Sequence, residues 1–162
     1  MNDTLSIDTL SIIVPVRDVE ATLAHQVHNL LDILPDLTQR FEIILVDDGS
    51  RDHTVDIARE LNRQYPQLRL IGHQQPLGRE AAIKSGLRIA TGETVLVQED
   101  EGAISPTNLR RLWSLRHDRG HRGQRSGNHR SKDLPRRTET WTADAANPEH
   151  RRSHAALVRV RG

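Results

Sequence analysis

The sequence predicts an α/β fold, an open parallel sheet with flanking helices, and three observations carry that expectation. Short apolar runs rich in β-branched residues recur four times before residue 100. Amphipathic stretches of helical period lie between them, as the crossover connections of a parallel sheet require. Acidic and small polar residues gather directly after the apolar runs, at the carboxyl ends of the strands, where an open sheet of this kind binds its ligands.

The first run, SIIVPV (11–16), is continuous rather than alternating, which suits a strand covered on both faces. Residues 19–34 then set Val19, Leu23, Val27, Leu30, Leu31 and Leu34 at helical spacing, and Pro35 closes the segment. EIILVD (42–47) predicts a second buried strand. Residues 52–65 predict a helix carried by Val55, Ala58 and Leu61, stopping before Pro66. LRLIG (68–72) reads as a third, weaker strand. Residues 79–91 predict a helix with small residues on one face, ended by Gly92. TVLVQ (94–98) is the fourth strand. Ser105 and Pro106 then offer an N-cap and a first helical residue for a helix bearing Leu109, Leu112, Trp113 and Leu115.

Charge divides the chain. Residues 1–109 hold 9 Lys+Arg against 17 Asp+Glu, and residues 110–162 hold 14 against 5, an asymmetry that marks two physically different segments. The stretch RHDRGHRGQRSGNHRSKDLPRR has almost nothing to bury against its ordering entropy. Residues 117–155 are therefore expected to be disordered, while ALVRVR (156–161) alternates like a strand. The expected organisation is an N-terminal extension (1–9), a folded domain (10–116) and a basic low-complexity tail (117–162). The absence of cysteine excludes a disulfide framework and a thiolate metal site. No signal-peptide pattern opens the chain, and no apolar run approaches the roughly 20 residues that span a bilayer. A cytoplasmic protein is expected.

Three polar clusters end predicted strands: Arg17-Asp18, Asp47-Asp48-Gly49-Ser50 and Glu99-Asp100-Glu101, whereas the amino ends of the strands read as bland. Carboxylates are the ligands that Mg²⁺ or Mn²⁺ prefer, so residues 99–101 read either as a hard-cation site or as a solvated acidic turn. Asp48-Gly49-Ser50 is also good turn chemistry before a helix, which accounts for Gly49 and Ser50 better than for Asp47. Arg79 opens its helix, beside free backbone N–H groups suited to an anion. Ala82 and Gly86 read as close helix–sheet packing. The nine histidines show no metal-ligand spacing, and none is assigned a ligand role.

Together and in order, SIIVPVRDVEATL, EIILVDDGSRDHT, LGREAAIKSGLRIATGE and VLVQEDE resemble the N-terminal half of a family 2 glycosyltransferase with the GT-A fold, a Rossmann-like sheet, over about residues 10–115. The resemblance implies that residues 10–116 are an incomplete nucleotide-sugar-binding domain. It also implies a UDP- or GDP-type sugar donor, a divalent metal (Mg²⁺ or Mn²⁺) and an inverting transfer. By position, Pro15, Val16 and Arg17 would line the nucleotide base pocket. Asp47 and Asp48 would belong to the base and ribose site, with Asp48 at the base. Gly78 and Arg79 would lie near the donor, Arg79 towards the diphosphate. Glu99, Asp100 and Glu101 fall on the family's Asp-x-Asp motif, so Glu99 and Asp100 would touch the donor, and Glu99 and Glu101 the metal.

Three departures stand out. Arg17-Asp18 replaces the aromatic-Asn pair usual after the first strand, which removes a stacking surface. Glu99-x-Glu101 adds a methylene at each carboxylate, a displacement of about an ångström that transfer geometry feels. The family's domain also continues into an acceptor half that carries the catalytic carboxylate. The later carboxylates here, Asp118, Asp133, Glu139, Asp144 and Glu149, sit in low-complexity sequence, and no catalytic base is nominated. Two other readings stay open: a truncated, non-catalytic remnant that at most binds nucleotide, and a basic-tailed binder of nucleic acid or an anionic surface, for which no defined motif is present.

Overall fold

The computed structural model describes residues 9–98, 106–117, 138–142 and 155–160. Its elements run β1 (Leu10–Val16), α1 (Leu23–Ile33), β2 (Phe41–Asp47), α2 (Thr54–Gln64), β3 (Leu68–Gly72), α3 (Arg79–Ile89), β4 (Thr94–Gln98), α4 (Pro106–His117), β5 (Thr138–Thr142) and β6 (Ala155–Val160). They form one six-stranded sheet in the order β3-β2-β1-β4-β6-β5. β1 pairs in parallel with β2 and β4, and β2 with β3.

The period of two along β1 decides how the layers form. Leu10, Ile12, Val14 and Val16 face one side with Ile43, Leu45 and Leu96, against α1 (Leu23, Val27, Leu30), α2 (Ala58, Leu61) and α4 (Leu109, Leu112, Trp113). Ile13 faces the other side with Ile44, Val46, Val95 and Val97, under Ala82 of α3. Both faces of the central strands are thus covered, which is why their sequences are unbroken apolar runs. Gly86 explains how closely α3 sits: a Cβ there would lie 2.6 Å from Ile13 Cγ2. Replacing Gly86 by Ala is expected to cost about 1–3 kcal/mol by overpacking, read as a lowered unfolding midpoint in denaturant.

Three expectations are corrected. Helix α1 starts at Leu23, not at 19, because residues 19–22 form a turn in which Thr22 and Leu23 N–H both donate to the Val19 carbonyl. Helix α3 stops at Ile89, before the predicted 91. There Thr91 N–H donates to Glu42 Oε1 (2.6 Å) and Gly92 N–H to Ser11 Oγ (2.8 Å), drawing the chain into β4. The expected disorder of residues 117–155 does not extend to 138–142. Those residues form β5, paired antiparallel to β6, and β6 pairs antiparallel to β4. Backbone pairing accounts for both strands: β4 would otherwise present a row of unpaired N–H and C=O groups, and Thr and Trp in TETWT favour extended backbone. Residues 117–155 lack apolar mass, but a strand can satisfy its backbone on a preformed edge without it. The remaining tail residues and the extension before Thr9 lie outside the described residues. Among the described residues, no helix is long and apolar enough to cross a membrane.

The amino edge of the sheet is also less bland than its sequence suggests. Glu42 Oε1 accepts from Ser11 Oγ (2.6 Å) and Thr91 Oγ1 (2.8 Å), and Arg69 Nη1 donates to Glu42 Oε2 (3.0 Å) and to the Ile89 carbonyl (2.7 Å). Burial pushes the Glu42 carboxyl up, but the bonds from Ser11, Thr91 and Arg69 outweigh it and hold the group below its ordinary value. A depressed folded-state value means that this stability is complete above the unfolded glutamate value of about 4.3 and is lost as pH falls through the lower folded value. Thermal melts from pH 7 down to pH 2.5 are expected to show that loss. Glu42→Gln, which removes the charge and leaves the donors from Ser11, Thr91 and Arg69 one acceptor short, is expected to cost about 1–3 kcal/mol at pH 7 and to flatten the acid limb.

Candidate functional site

The strand order reverses at β1, which has β2 on one side and β4 on the other, and this switch point is where an open sheet binds ligands. A cleft of about 220 Å³ opens there, lined by Pro15, Val16, Arg17, Val19, Gln26, Asp48, Gly78, Arg79 and Gln98. Six of these were predicted from sequence: Pro15, Val16, Arg17, Asp48, Gly78 and Arg79.

Two loops at the carboxyl edge frame one side. Asp18, at φ 49°, holds a left-handed backbone that aspartate tolerates better than most residues. Its Oδ1 accepts from Arg51 N–H (2.7 Å), and its own N–H donates to Ser50 Oγ (3.0 Å). Val19 N–H donates to Thr54 Oγ1 (2.8 Å), Glu20 N–H to Asp52 Oδ2 (3.1 Å), and His53 N–H to Glu20 Oε2 (2.8 Å). The loop after β1 is therefore laced to the loop that enters α2, and the Arg17-Asp18 departure from the resemblance serves this lacing. Arg17 Nε lies 3.7 Å from Asp18 Oδ2, both half-exposed.

Asp48 is held by three hydrogen bonds. It leaves β2 towards α3, 5 % exposed. Its Oδ1 accepts from His73 Nδ1 (2.8 Å) and Leu77 N–H (2.8 Å), and its Oδ2 from Gly78 N–H (2.9 Å). Burial would raise this carboxyl, yet the bonds from His73, Leu77 and Gly78 keep it below the ordinary aspartate value. Asp48 is therefore ionised at neutral pH. Gly78 has φ 93°, the left-handed region that favours glycine, and a Cβ there would meet nothing within 4 Å. From Gly78 the chain enters α3, and the Arg79 guanidinium donates to the Gln98 carbonyl at the end of β4. That bond spans the switch point and sets a cation in the lining of the same cleft as the Asp48 anion.

Asp47 behaves differently. Its strand position turns it to the opposite face from Asp48, and it does not line the cleft. Its Oδ2 accepts from Ser50 N–H (3.2 Å), a turn role that the sequence pattern suggested for residues 48–50 rather than for Asp47, and its buried Oδ1 has no partner among the described residues. Glu99, Asp100 and Glu101 lie outside the described residues. Gln98, directly before them, is buried and lines the cleft. Among the described residues, no three His, Cys, Asp or Glu side chains gather to hold a metal ion. A metal here would depend on residues 99–101, whose oxygen donors fit Mg²⁺ or Mn²⁺.

Sequence reasoning missed Val19, Gln26, Gln98 and His73. Helical spacing marked Val19 as core, and Gln26 carried no signal beyond being polar within an amphipathic helix. Gln98 and His73 each stand at the carboxyl end of a strand, and the edge rule that nominated Asp48 would have found both.

The profile described as Glycosyl transferase family 2 matches residues 11–144, more than half of the chain. The protein belongs to that family. A dolichyl-phosphate beta-glucosyltransferase of Trichomonas vaginalis is 30% identical over 99 residues, covering 58% of this chain and 31% of the relative. A dodecaprenyl-phosphate galacturonate synthase of Rhizobium johnstonii is 29% identical over 109 residues, covering 67% and 32%. The chain thus spans about a third of the length of these relatives. In structure it is similar to S. aureus TarS residues 1–349, with a TM-score of 0.52 at 21% identity over 74% of this chain and 38% of TarS. TarS in complex with UDP-GlcNAc gives the same TM-score at 23% identity, covering 69% and 32%. These likenesses establish the GT-A fold.

Proposed function

We propose that this chain is the donor-binding part of a metal-dependent, inverting glycosyltransferase that uses a UDP- or GDP-type sugar. One observation carries the reading: a cleft at the switch point whose walls hold an ionised, hydrogen-bonded Asp48 and a cationic Arg79 above an apolar floor of Pro15, Val16 and Val19. A nucleotide base needs an apolar surface with an acceptor for its ring N–H, and a diphosphate needs a cation one ribose away. Asp48 supplies the acceptor and Arg79 the cation. The positive end of the α3 dipole adds to the anion's stabilisation.

In the reaction, a base deprotonates the acceptor hydroxyl, which attacks the anomeric carbon in line as the bond to the nucleotide diphosphate breaks. The electron pair of that bond leaves on the diphosphate oxygen, and Arg79 meets the charge that builds there. A divalent cation held by Glu99 and Glu101 would supply further neutralisation of the same leaving group. Asp100 completes the proposed donor contacts, with Arg17 at the mouth of the base pocket, whereas Asp47, turned away from the cleft, is given no ribose contact.

Calorimetric titration of the whole chain with UDP, GDP and their sugars, in Mn²⁺ and again in EDTA, tests this directly. Saturable binding is expected, with affinity reduced roughly 10- to 150-fold in EDTA, the worth of about 1.5–3 kcal/mol in charge-assisted contacts. No heat with any nucleotide in either buffer would refute the donor site. Binding that ignores EDTA would refute the metal.

A further inference from the structure

His73 has no part in the function proposed above, yet it is bonded to Asp48, which lines the cleft. Its side chain is 11 % exposed and touches Asp48 through one ring nitrogen and Ser85 of α3 through the other. The proton on Nδ1 follows from chemistry. An ionised carboxylate only accepts, so His73 Nδ1 carries the hydrogen that meets Asp48 Oδ1 at 2.8 Å. Nε2 lies 3.0 Å from Ser85 Oγ, a hydroxyl that can donate to a neutral ring or accept from a charged one. The ring is held at both ends, one on α3 and one on the carboxylate.

A carboxylate oxygen accepts about two hydrogen bonds. His73 Nδ1–H and Leu77 N–H fill Oδ1, whereas Oδ2 has Gly78 N–H alone among the described residues. We propose that His73 is a positioning residue that, by occupying Oδ1 and locking the Asp48 rotamer, leaves Oδ2 with one acceptor site for a ring N–H of the nucleotide base. Ser85 keeps the imidazole in the orientation that this requires. The inference rests on reading the cleft as a nucleotide site. The lowered carboxyl of Asp48 agrees with it, since His73 is the foremost of the bonds that stabilise the charged form.

The test compares His73→Ala, His73→Asn and His73→Gln. An asparagine amide nitrogen sits where His73 Nδ1 sits, and a glutamine amide nitrogen reaches instead towards Nε2, so only asparagine keeps the bond to Asp48. Two readouts on the whole chain are needed: amide hydrogen exchange at Leu77 and Gly78, and UDP and GDP affinity by calorimetry. His73→Asn is expected to keep both within about threefold of wild type. His73→Ala and His73→Gln are expected to speed exchange at both amides and to weaken nucleotide binding about tenfold, the worth of one charge-assisted bond. Glutamine matching asparagine in both readouts, or alanine matching wild type, would overturn the proposal, because volume rather than the Nδ1 bond would then be what matters. Should wild type bind neither nucleotide, the donor reading fails by itself, and wild-type exchange rates in His73→Ala would then overturn the lock on Asp48 separately.

Discussion

Asp48→Asn is expected to weaken UDP or GDP binding about 10- to 150-fold or more and to destabilise the fold at once. The carboxylate accepts three bonds from the protein, from His73, Leu77 and Gly78. An asparagine has one oxygen, and its amide group would turn two hydrogens towards groups that are themselves donors. At least one of these part-buried N–H groups is left without its acceptor, costing roughly 1 kcal/mol or more. The binding loss is separate: a charge-assisted bond to the ligand contributes about 1.5–3 kcal/mol, which is the 10- to 150-fold stated. Calorimetry and thermal melts of the same preparation check both at once. Unchanged affinity in a destabilised variant would show that Asp48 only braces the loop from 73 to 78.

Arg79→Ala is expected to weaken nucleoside diphosphate binding by a similar 10- to 150-fold, with nucleoside binding changed by no more than about twofold. The guanidinium faces the cleft from the first residue of α3 and bridges to the Gln98 carbonyl of β4. Its loss removes a cation and unfastens α3 from the strand that leads to Glu99. Arg79→Lys keeps the charge but not the planar fork, so it is expected to recover only part of the loss. Competition titrations with uridine, UMP and UDP separate the effects. An equal loss for all three would assign Arg79 to bracing the cleft rather than to the phosphates.

Particular residues show why some of this was legible in the sequence. The apolar runs at 11–16 and 42–47 suit strands covered on both faces, and the structure covers them with α1, α2 and α4 on one side and α3 on the other. Parallel pairing then forced Val16, Asp47 and Gln98 to one edge, which singled out Arg17, Asp48 and the helix-opening Arg79, while Pro15, Val16 and Gly78 were named through the family resemblance alone. What failed has physical causes too. Asp47 and Asp48 read as a pair, yet adjacent residues at a strand end face opposite ways. Residues 138–142 lack apolar mass, so a rule built on burial overlooked a strand that pairing with β6 supports. Glu42 looked like an unremarkable polar residue at the start of a strand. Its three hydroxyl and amide donors come from Ser11 and Thr91, far away in sequence.

The order of elements, the faces of the central strands, the shared edge and the family were determined by the chain's own pattern of apolar periods and strand-end polar residues. Those properties are local, or follow from the handedness of the crossovers. Only the tertiary structure decided which atoms of Asp48 are occupied, that His73 and Ser85 stand behind it, that Arg79 reaches Gln98, and that Asp47 turns away. The physical reason is that hydrogen bonds select partners by distance and direction. Positions 48, 73, 77 and 85 acquire a common geometry only after β2, β3 and α3 have packed.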